Sequence, residues 1–175
     1  MNISNQQPSL NADLLKAAKN DDWASAKKAI EAGADILTQD ENGDSAAILF
    51  ACHGNCRAVI GMAKINKATL ELTDNTGSTP GICFAMHNHA DAAVNVASEY
   101  PHIVRQVNDR GNSMATWFAQ YQNVKTVLAL AYINGGVFAQ EDKDGPITWK
   151  RFQNHVDVES VRRLKEHEIK VRTNW

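Results

Sequence analysis

The sequence predicts an all-α fold, an α-solenoid of about five helix–turn–helix repeats joined by β-turn or hairpin-like loops, and three columns of residues predict it. The tetrapeptides Asp40-Glu41-Asn42-Gly43, Asp74-Asn75-Thr76-Gly77, Asn108-Asp109-Arg110-Gly111 and Asp142-Lys143-Asp144-Gly145 place glycines at intervals of 34 residues. Phe50, Phe84, Phe118 and Phe152 each follow one of those glycines by seven positions, so four of the five phenylalanines share one register. Ala51, Ala85 and Ala119 follow directly. A fixed period of this length marks like units that cover their apolar sides by stacking.

Each unit reads as a turn and two short helices. Asp/Asn-x-x-Gly supplies a polar turn whose glycine can take a positive φ. Ser45, Thr79 and Ser113 stand two residues later, where a hydroxyl can accept from the first-turn amides, and Pro80 suits the first helical position. A second helix begins about ten residues on, its buried face drawn by Ala58, Val59 and Met62, by Ala92, Ala93 and Val96, by Val124, Val127, Leu128 and Ala131, and by Val158, Val161 and Leu164. Residues 7–39 form a degraded first copy: Leu14–Ala18 in one helix, Trp23–Ile30 in the other, and Gly33-Ala34-Asp35 as the exit. The units fall at about 7–39, 40–73, 74–107, 108–141 and 142–175, a single domain over 1–175. The last is expected to end on an exposed capping helix with Arg162, Arg163, Lys165, Glu166, Glu168 and Lys170.

Composition narrows the function. With 175 residues, 43% apolar, the chain can bury one continuous core. A charged fraction of 22% and a net charge of −2 lack the basic excess of a nucleic-acid binder, and no apolar run approaches the roughly 20 residues of a membrane span, so neither nucleic acid nor membrane is expected as a partner. The first residues, Met1 to Pro8, carry no positive charge and no apolar stretch, so no secretory signal is expected. Cys52, Cys56 and Cys83 cannot all pair within one chain; free thiols and a cytoplasmic location are expected.

The pattern resembles the ankyrin repeat, a unit of about 33 residues with a β-turn, two helices and a Thr-Pro-Leu-His-x-Ala signature. Asp74-Asn75-Thr76-Gly77-Ser78-Thr79-Pro80 matches it best, Glu31-Ala32-Gly33-Ala34-Asp35-Ile36 resembles the family's repeat ending, and the five copies cover 7–175. The signature histidine is replaced by Ile48, Ile82, Thr116 and Lys150, so the hydrogen bonds that it makes between loops in the family are expected to be missing. The endings after residue 66, such as Asn66-Lys67-Ala68-Thr69 and Tyr100-Pro101-His102, lose Gly-Ala-Asp.

One further column holds His53, His87, Tyr121 and His155. The resemblance implies that this position lies late in the first helix and faces the concave side, available to a partner. Packing against adjacent loops is the alternative, and the residues leave both open. Equivalent positions in neighbouring units lie about 8–10 Å apart, too far for shared zinc ligands at about 2.0–2.3 Å. In Cys52-His53-Gly54-Asn55-Cys56, two thiols and one imidazole fall one short of a structural zinc site, with His87 the nearest further donor in sequence. No metal and no cofactor are expected. Gly77-Ser78-Thr79-Pro80-Gly81 has no serine at its centre, and no phosphate loop or paired-carboxylate pattern occurs, so no enzymatic activity is expected.

Charge is uneven: Glu31 to Cys56 holds five acids and no Lys or Arg, whereas 142–175 carries eight basic and six acidic residues. The acidic edge reads either as a solvated turn or as a steering field for a basic partner. The resemblance then implies a non-enzymatic module that binds another protein, as an inhibitor, immunity protein, effector or adaptor. It assigns turn tips to Glu41, Asn42, Asp44, Asn75, Thr76, Ser78, Asp109, Arg110, Asn112, Lys143 and Asp144. It assigns the groove to Cys52, His53, Met86, His87, Gln120, Tyr121, Asn154 and His155, with Met86, His87 and Tyr121 as central anchors. The alternatives are a small cysteine-dependent enzyme using Cys52 or Cys83, and a structural or self-associating repeat; the expected state is a monomer or a weak self-associate.

Overall fold

The structure is a computed structural model, and it describes residues 7–134 together with 141–142 and 145–146. Four helix pairs follow one another: α1 (Gln7–Lys19) and α2 (Trp23–Glu31), α3 (Ala46–Cys52) and α4 (Cys56–Ile65), α5 (Pro80–Met86) and α6 (Ala90–Glu99), α7 (Met114–Gln120) and α8 (Val124–Ile133). The all-α class holds, apart from a two-residue antiparallel ladder in which β1 (Glu141–Asp142) pairs with β2 (Gly145–Pro146). That ladder brackets the fourth predicted turn. The rest of the predicted fifth unit, with Lys143, Asp144, Phe152, Asn154, His155 and the charged capping helix, lies outside the described residues.

Packing follows the period. The first helices α1, α3, α5 and α7 touch in succession, as do α4, α6 and α8 among the second helices. Phe50, Phe84 and Phe118 are fully buried, and so are Ala51, Ala85 and Ala119 beside them. Each phenylalanine contributes on the order of 3 kcal/mol by leaving water. The Phe50 ring meets the edge of Trp23 on α2, with ring centroids 5.8 Å apart, so this column also ties first helices to a second helix.

The helix starts are mostly those expected. Ser45 accepts from the Ile48 N–H (3.3 Å), and Ser113 forms a capping box with Thr116, whose hydroxyl oxygen accepts from the Ser113 N–H at 2.8 Å. Thr79 departs from this pattern. Its hydroxyl donates to Gln106 Oε1 (2.7 Å) and makes no cap bond. Pro80 brings no N–H to the first turn, which leaves α5 with one fewer exposed donor to satisfy. Asp22, Asn55 and Asn123 cap α2, α4 and α8 through their side-chain oxygens.

Each helix pair turns through one residue with positive φ: Asp21, Gly54, Asn88 and Gln122, at 54°, 77°, 59° and 58°. The endings that lost Gly-Ala-Asp are rebuilt as 3₁₀ turns over Lys67–Leu70 and Pro101–Arg105. These turns drop Leu70, Ile103 and Val104 into the core. Apolar burial thus does at those exits what a flexible glycine does at Gly33, where φ is 106°.

Candidate functional site

The loops before α3, α5 and α7 are small hairpins built alike. Asp40 Oδ1 accepts from the N–H groups of Asn42 and Asp44, Asp74 Oδ1 from those of Thr76 and Ser78, and Asn108 Oδ1 from those of Arg110 and Asn112, all at 2.8–3.1 Å. The first residue of each tetrapeptide therefore holds its own turn. The loops are also bonded to one another: the Asn75 N–H donates to Asn42 O (2.9 Å), and the Asp109 N–H donates to Thr76 O (3.1 Å). Neighbouring tips form a continuous backbone ladder without the signature histidine.

That ladder decides which tip residues face solvent. Glu41, Asn42, Asn75, Thr76, Asp109 and Arg110 are exposed, and Asp44 is half-buried. Ser78 and Asn112, expected at the tips, are instead buried. Both stand fifth in their loops; the Ser78 hydroxyl oxygen lies 3.3 Å from the amide nitrogen of Asn108, in the next loop, which donates to it, and the Asn112 N–H donates to Asn108 Oδ1 within its own loop.

The expected groove residues stand at the ends of the first helices. Cys52 and Met86 are half-buried, while His53, His87, Gln120 and Tyr121 are exposed. The two open readings of the aromatic column divide between its members. His53 Nε2 lies 3.1 Å from Lys19 O, and the Tyr121 hydroxyl donates to Met86 O at 2.6 Å, so these two rings satisfy carbonyls at the end of the preceding first helix. His87 instead stacks on His89, with ring centroids 6.2 Å apart. His89 itself escaped the sequence reading. It stands where other units carry the capping Asn55 and Asn123, and its Nε2 lies 2.9 Å from Cys52 O. Leu49 and Trp117 are also half-buried, and the Trp117 indole N–H is buried with no hydrogen-bond partner among the described residues.

Burial opposes ionisation of Asp40, but a hydrogen bond from Lys19 Nζ (2.8 Å) and those from the Asp44 and Asn42 amides outweigh it and hold the carboxyl below its usual range. Asp44 moves upward, through burial first and then the neighbouring Asp40 and Asp74 carboxylates. Lys19 thus answers Asp40, and the field of the first two loops stays negative.

Burial, and then the positive charges that His89 and His53 can carry, lower the His87 pKa. An imidazole with a depressed pKa takes up its proton more readily in the unfolded chain, so stability falls as pH drops through about 6.5 toward the folded value. His87→Gln is expected to flatten this acid limb by less than about 1 kcal/mol, since solvent screens a largely exposed ring. Urea titrations between neutral pH and pH 5 measure it; an unchanged slope of stability against pH refutes it.

Cys52, Cys56 and Cys83 are all free thiols. Interaction with the Cys52 side chain, and then burial, pushes the Cys83 thiol well above its usual range, while the same interaction outweighs burial at half-buried Cys52 and lowers its thiol. Among the described residues, no group of three or more His, Cys, Asp or Glu is spaced to hold a metal ion, and no helix is long and apolar enough to cross a membrane. No family model matches the sequence, and no curated protein matches it significantly.

Proposed function

We propose that this chain is a divergent ankyrin-like solenoid that binds another protein, without catalysis, across its hairpin tips and the ends of its first helices. In that role it acts as an inhibitor, immunity protein, effector or adaptor, and its free thiols suit the cytoplasm. The observation that carries the reading is the continuity of the face. Three loops joined by backbone hydrogen bonds flank three successive helix ends whose residues stand in one register. A partner docking on a surface already fixed this way loses little ordering entropy. The negative first two loops favour a basic partner surface, chiefly by speeding encounter.

The test uses side chains that leave the ladder intact. A triple variant, His87→Ala, Arg110→Ala and Gln120→Ala, is compared in affinity capture from native lysate with wild type and with a control, Asn95→Ala and Lys125→Ala. The control residues line a cleft of about 590 Å³ between α6 and α8. Tyr121 is kept because its hydroxyl holds Met86 O. The reading expects at least one protein whose capture falls tenfold or more with the triple variant and holds with the control, with both variants melting like wild type. If no captured protein distinguishes the two, the reading fails.

A further inference from the structure

Asn42-Gly43 is one of two Asn-Gly pairs in the chain, the other being Asn134-Gly135. Such a pair invites cyclisation, because glycine has no side chain to shield its backbone nitrogen or to oppose the rotation that brings that nitrogen onto the asparagine side-chain carbon. The stack fixes the glycine. Gly43 stands at φ +77°, and an added Cβ would lie 2.8 Å from Asn75 Oδ1 and 2.9 Å from the Asn75 backbone nitrogen of the next loop. The asparagine is not fixed in this way: the equivalent places before Gly77 and Gly111 hold Thr76 and Arg110, which cannot cyclise. Asn42 is exposed at the hairpin tip. Its N–H donates to Asp40 Oδ1 (2.9 Å) and that of Gly43 to Asp40 O (3.0 Å), so attack needs these bonds to open within one exposed loop, where local opening costs least. Asn134, by contrast, is half-buried, and its side-chain amide donates to Pro101 O (3.1 Å) in the preceding unit.

We propose that Asn42 is a modification site at which water converts the asparagine to isoaspartate and aspartate. The Gly43 nitrogen gives up its proton and bonds to Asn42 Cγ; the Cγ–Nδ2 bond breaks, and Nδ2 takes up that proton and leaves as ammonia. Water then opens the resulting succinimide at one of its two carbonyls. Opening at Cγ leaves aspartate, whereas opening at the main-chain carbonyl leaves isoaspartate, with the chain running on through Cβ. In sum, an amide and water become a carboxylic acid and ammonia, and neither step needs a partner or an enzyme. The acid ionises at neutral pH and adds a negative charge to a loop that already holds Asp40, Glu41 and Asp44. Isoaspartate also takes out of the main chain the Asn42 carbonyl that accepts from the Asn75 N–H (2.9 Å), so the ladder between the first two loops loses a rung.

The experiment holds the folded full chain at mildly alkaline pH, below its melting range, and follows every asparagine by peptide mass, with isoaspartate told from aspartate by enzymatic methylation. The expected result is exchange of an NH for an O at residue 42 at least tenfold faster than at any other asparagine, Asn134 included, with isoaspartate exceeding aspartate. The isolated isoaspartate form is expected to melt a few degrees lower than the starting protein. Asn42→Thr, which copies Thr76, abolishes the product. Conversion first at Asn134 or another asparagine, an Asn42 that stays intact in the folded chain while it converts in urea, or an isoaspartate form that melts unchanged overturns the proposal. Because conversion is mapped in the unsubstituted protein, the result does not depend on a variant folding.

Discussion

Phe84→Ala is expected to lower stability by about 3–5 kcal/mol, and with it the melting temperature by roughly 10 °C. Phe84 is fully buried on α5, which packs on α3 on one side and α7 on the other. Truncating it leaves a void in the core, and close-packed helices collapse into such a space only in part. Phe84→Leu keeps most of the volume and is expected to recover more than half of the loss. Thermal melts followed by circular dichroism measure both. A loss below about 1 kcal/mol for the alanine variant would mean that the phenylalanine column is not a shared core.

The second large effect is expected at Gly77. With φ at +75°, any side chain there is strained, and an added Cβ would also meet Asp109, including its backbone nitrogen at 2.8 Å. That nitrogen carries the bond to Thr76 O that links the two loops. Gly77→Ala is therefore expected to cost about 2–4 kcal/mol, strain and a broken ladder together. Gly33 supplies the comparison: its φ is +106°, yet nothing lies within 4 Å of its added Cβ. Gly33→Ala should cost only the strain, about 1–2 kcal/mol. Urea unfolding of the two variants separates the contributions, and equal losses would remove the loop ladder from the account.

What the sequence disclosed, and what it hid, follows from the range of the interactions. The phenylalanine column and the caps at Ser45 and Ser113 were legible because each depends on spacing within one unit. Asp22, Asn55 and Asn123 could have been read the same way, as polar residues before an apolar run. The 3₁₀ exits were hidden, because Lys67–Leu70 and Pro101–Arg105 share no motif and are set by the burial of Leu70, Ile103 and Val104. Three of the four inter-helix turns place a non-glycine residue at positive φ, so a search for glycine finds only Gly54.

The exposure of the turn tips was legible in outline. Exposed tips such as Glu41, Asn75 and Arg110 follow from the turn register alone. Ser78 was misplaced because it is held by Asn108 of the next loop, a contact outside its own unit. The roles of His53 and Tyr121 depend on carbonyls one unit away, which no within-unit comparison reveals.

The bonds between units have one further property: the side-chain bonds from His53 to Lys19, Asn75 to Glu41, Gln106 to Leu70, Tyr121 to Met86 and Asn134 to Pro101 span 34, 34, 36, 35 and 33 residues. Such a chain closes only short, equal loops as it orders, so growth can start at any helix pair and spread both ways at modest entropic cost. Architecture of this kind does not dictate its own length. Splicing in one whole period would extend the stack, whereas splicing in half of one would sever every contact across the cut.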